Sequence, residues 1–173
     1  MDKKDSNQVK IAIMSDSHDN TENTAQAVNI ANEKGCKTLF HLGDITSPFC
    51  AEQLSAFRGR VSAVFGNCDG EVMGLKKTFN SFGGDIQKPP FELEMDNQRM
   101  ILLHEPILLD DLIRSDKIDY IFYGHLHTVD LRQERHTYIV NPGEIGGWVH
   151  HQPSFFILNT ELIHFDKIEL QRN

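Results

Sequence analysis

Cysteine is scarce in this 173-residue sequence. Cys36, Cys50 and Cys68 are odd in number and unrelated in spacing, which excludes a disulfide framework and a Cys-x-x-Cys zinc or redox motif. Such cysteine usage is that of a cytoplasmic protein with reduced thiols. Positive charge is also in short supply: 17 Lys and Arg stand against 25 Asp and Glu, a formal net charge of −8. Counterion release needs clustered cations, so this balance disfavours a nucleic-acid or anionic-membrane surface. No apolar run approaches the ~20 residues that span a bilayer, and Val9–Met14 is too short for a signal-peptide core. Repeats, low-complexity tracts and linkers are missing as well. The expectation is a single domain over residues 1–173, with its core at about 8–168.

What is present alternates. Val9–Met14, Thr38–Leu42, Arg60–Phe65 and Tyr120–Tyr123 read as short buried strands. Thr21–Lys34 reads as a helix with Ala25, Val28 and Ala31 on one face and Gly35 closing it. Ser47-Pro48 offers an N-cap followed by Pro at the first helical position, opening a helix to about Phe57. Leu75–Phe82, closed by Gly83-Gly84, and Ile107–Ser115 are further helices. Phe91–Met95 and Arg99–Leu103 flank a turn and read as a hairpin, and Val129–Gln133, Thr137–Val140, Ser154–Leu158 and Leu162–Ile168 are strands. An alternating front half and a β-rich back half predict an α/β layered sandwich with more than one sheet.

The chemistry lies at the strand ends. Asp16 and His18 come after the first strand, Gly43-Asp44 after the second, Gly66-Asn67-Cys68-Asp69 after the third. His104 ends the second arm of the hairpin, and Gly124-His125-Leu126-His127 comes after Tyr123. Open α/β sheets gather ligands at the carboxyl ends of their strands, so these side chains are expected to converge. Two Asp, one Asn and four His form an oxygen–nitrogen donor set that suits Mn²⁺, Fe²⁺, Co²⁺, Ni²⁺ or Zn²⁺ better than Ca²⁺. So many donors exceed one tetrahedral ion and suit two ions sharing a carboxylate.

In these residues the sequence resembles the calcineurin-like metallophosphoesterases, whose blocks run DxH, GD, GN[HC][DE], a lone His and GHxH. They stand here as Asp16-Ser17-His18, Gly43-Asp44, Gly66-Asn67-Cys68-Asp69, His104 and Gly124-His125-Leu126-His127. Short length, GNCD, and Asn141-Pro142-Gly143 downstream resemble the small bacterial and archaeal phosphodiesterase branch. The resemblance implies two packed β-sheets with helices outside. It implies one metal on Asp16, His18 and His127 and a second on Asn67, His104 and His125, with Asp44 bridging. Manganese is the first expectation, with Fe, Ni, Co or Zn fitting the same donors.

The implied activity is hydrolysis of small phosphodiesters by a metal-activated hydroxide, with Asp44, Asn67, His104 and His125 as the catalytic set. The alternatives are a phosphomonoesterase or nucleotidase on the same site, and a non-catalytic protein-binding scaffold, as in the retromer subunit that resembles this branch. Against the branch pattern, Glu105-Pro106 comes after the lone His and Glu144 after Asn-Pro-Gly. Glu105 places an extra carboxylate beside the second metal, and Glu144 reads as an acidic rim repelling polyanions.

Other residues have plainer readings. His41 reads as core, Cys68 as a small buried thiol, and Asp69 as either an orienter of a ligating His or a turn carboxylate. His136, His150, His151 and His164 read as surface or hairpin residues. Trp148 either lines a substrate or partner surface or caps the core.

Overall fold

The computed structural model describes residues 9–171. The front half runs β1 (Lys10–Met14), α1 (Thr21–Glu33), β2 (Thr38–His41), α2 (Pro48–Leu54), β3 (Arg60–Val64), α3 (Val72–Ser81) and β4 (Asp85–Gln87). Then come β5 (Phe91–Met95), β6 (Gln98–Leu102), α4 (Leu109–Arg114), β7 (Tyr120–Phe122), β8 (Val129–Glu134), β9 (Thr137–Pro142), β10 (Ser154–Asn159) and β11 (His164–Glu169). Two sheets form, in the orders β11-β10-β1-β2-β3-β4 and β5-β6-β7-β9-β8. Strands β1 to β4 pair in parallel, as do β6, β7 and β9, while β5, β8, β10 and β11 pair antiparallel.

The period-2 alternation of strands builds the layers. Ile11 and Ile13 of β1 join Phe40, Leu102, Phe122, Val140 and Leu158 in a core between the two sheets. Ala12 and Met14 face the other way and meet Ala27, Val28 and Ala31 of α1 with Leu54 of α2. The second sheet repeats the device, turning Ile101, Ile121 and Ile139 outward against Ile113 of α4. The result is the expected α/β sandwich of two packed sheets with helices outside. Each fully buried large side chain here contributes roughly 1.5–3 kcal/mol.

The differences from the sequence reading are local. On α1, Thr24 and Ala27 share the buried face with Val28 and Ala31, and Ala25 is only half-buried. Asn20 caps this helix by accepting the Asn23 N–H at 3.0 Å. The Ser47 cap and Pro48 start α2 as expected, but the helix ends at Leu54, before Phe57. Helix α3 begins three residues before Leu75, at Val72, because the Glu71 carboxylate caps it through the Gly74 N–H at 3.1 Å. Strand β4 is three residues long and adds an edge that no periodicity of its own announces.

Candidate metal centre

Each expected donor sits just beyond a parallel strand: Asp16 and His18 after β1, Asp44 after β2, Asn67 after β3, His104 after β6, His125 and His127 after β7. The two sheets bring these ends to one edge. Backbone bonds lock the loops together, with the Asp16 N–H donating to Gly43 O at 3.0 Å and the His18 N–H to Asp44 O at 2.9 Å. Asp16, His18, Asp44, His125 and His127 all adopt left-handed backbone, φ 41–67°. Asp and His tolerate this region better than most residues, and the surrounding bonds hold it in place.

Two clusters of donor atoms result. Asp16, His18 and His127 place one ligand atom each within 4.8 Å of one another. The Nε2 atoms of His18 and His127 are 3.2 Å apart, and Asp16 Oδ1 lies 3.4 Å from the His127 Nε2. That Oδ1 is buried with no hydrogen-bond partner, whereas Oδ2 accepts the His125 N–H at 3.0 Å. A buried, orphaned carboxylate oxygen facing ring nitrogens fits a divalent cation. In the second cluster, Asn67 Oδ1 lies 2.8 Å from His104 Nε2 and 2.9 Å from His125 Nδ1.

Asp44 stands between the clusters. Its Oδ2 is 3.5 Å from His18 Nε2 and 3.4 Å from His104 Nε2, while Oδ1 accepts the Cys68 N–H at 2.8 Å. Burial pushes this carboxyl up, but the His104 side chain and the Cys68 N–H outweigh burial and hold it well below the usual carboxylate range. Burial raises Asp16, with less opposition. Burial works against a charged His104 too, yet Asp44 beside it leaves that imidazole above its ordinary value.

The histidine tautomers are set from behind. His104 Nδ1–H donates to the Leu42 carbonyl at 2.8 Å, and His127 Nδ1–H donates to Glu144 Oε2 at 3.0 Å. Each ring therefore turns the lone pair of its Nε2 toward the centre. Two glycines allow the close approach. A Cβ on Gly66 would overlap Asp44 Oδ1, and one on Gly124 would overlap Ser15 Oγ and come within 2.7 Å of Asp16 Oδ2.

Several plain readings change. Glu144 is not a rim but a buried anchor (1% exposed) that also accepts the N–H groups of Trp148, Val149 and His150. Burial opposes its charge, and the His150 and Val149 N–H groups with His127 prevail, holding its pKa down. Cys68 is exposed, not buried: its N–H serves Asp44 Oδ1, and its Sγ lies at the site, within 4.8 Å of ligand atoms of His18 and Asp44. Asp69 orients no histidine; it accepts the N–H groups of Asp44, Thr46 and Gly66 at 3.0, 2.7 and 2.7 Å and so shapes the loop that carries Asp44.

His41 is buried as expected but is also a tether. It accepts the Gly43 N–H at Nδ1, which leaves Nε2–H to donate to Ser17 Oγ at 3.1 Å. Trp148 does not cap the core; it is 59% exposed, and its Nε1–H donates to His18 O at 3.1 Å. Asn141 places its Nδ2 on the Gly124 carbonyl at 2.9 Å and so steadies the turn before His125. Glu105 is exposed on the loop after His104. His136, His150, His151 and His164 are exposed, as read.

Known proteins resemble this chain in sequence and fold. Phosphodiesterase MJ0936 of Methanocaldococcus jannaschii is 30% identical over 166 residues, 94% of this chain and 100% of that protein. Phosphodiesterase YfcE of Escherichia coli K12 is 26% identical over 151 residues, 79% of each chain. A solved archaeal phosphodiesterase superposes with a TM-score of 0.89 at 30% identity, covering 94% of this chain and 100% of that one. Vps29 of Chaetomium thermophilum shares the fold alone, with a TM-score of 0.69 at 15% identity over 95% of this chain and 98% of that one. The profile of the calcineurin-like phosphoesterase superfamily domain matches residues 9–162, and with these relatives it establishes that the chain belongs to that superfamily.

Proposed function

We propose that this chain is a single phosphoesterase domain that hydrolyses small phosphodiesters with the help of two divalent ions, manganese foremost. Asp16, His18 and His127 would hold one ion, Asn67, His104 and His125 the other, and Asp44 both. The observation that carries this reading is Asp44 Oδ2, which lies at nearly equal distances from a nitrogen of each cluster, 3.5 and 3.4 Å. When bound, such a pair supplies an acidified water and positive charge for the phosphate oxygens.

The protein's own groups do the rest. Glu144 and the Leu42 carbonyl keep the ring protons of His127 and His104 on Nδ1, away from the centre. Asn67 Oδ1 sits 2.8 and 2.9 Å from a nitrogen of each imidazole, where it would face the same ion as they do, and its Nδ2, 3.3 Å from Cys68 Sγ, is left as a donor for a substrate oxygen. The reaction adds water oxygen to phosphorus and breaks one P–O ester bond, releasing a monoester and an alcohol. Cys68 takes no nucleophilic part, since desolvation and the neighbouring Asp44 carboxylate push its pKa up and keep it a thiol near neutral pH. Asp44→Asn tests the reading: the variant is expected to lose bound metal and hydrolysis of bis(p-nitrophenyl) phosphate together. Full turnover by that variant in manganese buffer would contradict it.

A further inference from the structure

A cleft of about 430 Å³ opens beside the second cluster of donors, with Asn67 and His104 among its lining. The rest of its wall is largely apolar, including Phe65, Val72, Pro90, Leu103, Ile107 and Leu108. The topology explains this composition. Phe65 belongs to the core under α1 to α3, with Val72 packed against it, whereas Leu103 belongs to the separate core under α4. The cleft is therefore the seam where two helical layers part at the strand ends, and apolar side chains of both are left facing it. Ile107 and Leu108 are 58% and 67% exposed on adjacent positions of the loop after His104. Apolar surface gathered in a concavity beside a reaction centre marks a ligand wall, and the volume lies within the roughly 300–1,000 Å³ of small-molecule sites.

The charges narrow the occupant. Lys88 and Glu105 in the lining are of opposite sign and both exposed, and the Asp69 carboxylate is committed to backbone N–H groups. Among the described residues of the lining, no cluster of cations stands ready to receive a second phosphate. We infer that this cleft binds an uncharged, largely apolar organic substituent of the phosphodiester, of aryl or nucleobase size, and that Val72, Ile107 and Leu108 set this specificity. The inference rests on the phosphodiesterase reading and names the substrate class for it: diesters with one bulky planar group, in preference to polyphosphates or small alkyl diesters.

The test holds the leaving group fixed. With p-nitrophenolate leaving throughout, the second ester group is varied from methyl to phenyl to 2-naphthyl, and kcat/KM is measured on the manganese-loaded protein. The aryl esters are expected to exceed the methyl ester by at least about tenfold, since even one methylene in an apolar pocket is worth that much. Ile107→Asp and Val72→Asp, on separate elements, are each expected to erase the preference, with circular dichroism reporting that they fold. A flat series with turnover intact overturns the inference. If Ile107→Asp then also splits a dimer in sedimentation, the lip belongs to a contact between copies instead. Absence of turnover on every ester overturns the phosphodiesterase reading itself.

Discussion

His127 donates its Nδ1–H to Glu144 across 3.0 Å, and Glu144 at the same time gathers the N–H groups of Trp148, Val149 and His150. One buried carboxylate thus fixes both the ring facing Asp16 and the loop that lays Trp148 over His18. Glu144→Ala is expected to weaken manganese binding at the Asp16–His18–His127 cluster by about 10- to 100-fold, the usual cost of losing a histidine's outer partner. Glu144→Gln, which still offers an acceptor oxygen, should fall between. Manganese titration of each variant checks this, and unchanged affinity in Glu144→Ala would contradict it.

That relationship was illegible in the sequence, for a physical reason. Glu144 lies 17 residues from His127 along the chain, and a lone acidic residue in a turn reads as surface charge unless its burial is known. Asp69 was hidden in the same way, because its partners are backbone N–H groups, which carry no sequence signature. The strand-end donors were legible because each comes after an apolar run and several come after a glycine that permits a sharp turn. The two-sheet sandwich was legible from strands alternating with helices in the front half and the run of strands behind them, whereas α3 began early because Glu71, an uncommon capping residue, starts it. Cys68 misled because cysteine is usually buried, and here its thiol stands exposed at the site while its N–H serves Asp44.

His41 makes stability fall in mild acid. Burial pushes its pKa down to about 3, so the folded protein keeps it neutral while the unfolded chain takes up a proton near 6.5. A base whose folded pKa is depressed contributes stability that is complete above 6.5 and is lost as pH falls toward 3. The loss approaches about 1.4 kcal/mol per pH unit in that window. Urea unfolding of the metal-free protein should show this slope relative to His41→Gln. Parallel pH curves for the two would refute it.

Leaving-group dependence should be steep. Cys68 is the exposed side chain next to Asn67, and its raised pKa makes it a weak proton donor. A positioned general acid typically supplies about 10²–10⁴-fold, so without one the alkyl diesters should trail the aryl diesters by at least that margin. Rates for a series of diesters plotted against leaving-group pKa give the slope directly. Equal rates for alkyl and aryl leaving groups would place an acid in the site beyond the groups named here.

Two ions sharing Asp44 are the core of the proposed chemistry. The decisive experiment adds manganese to the metal-free protein in steps and follows hydrolysis of bis(p-nitrophenyl) phosphate against manganese bound per chain. Little turnover is expected up to one equivalent, with a rise to the plateau at the second, because the activated water needs both ions. Full turnover at one equivalent, or in the metal-free protein, would contradict a shared Asp44.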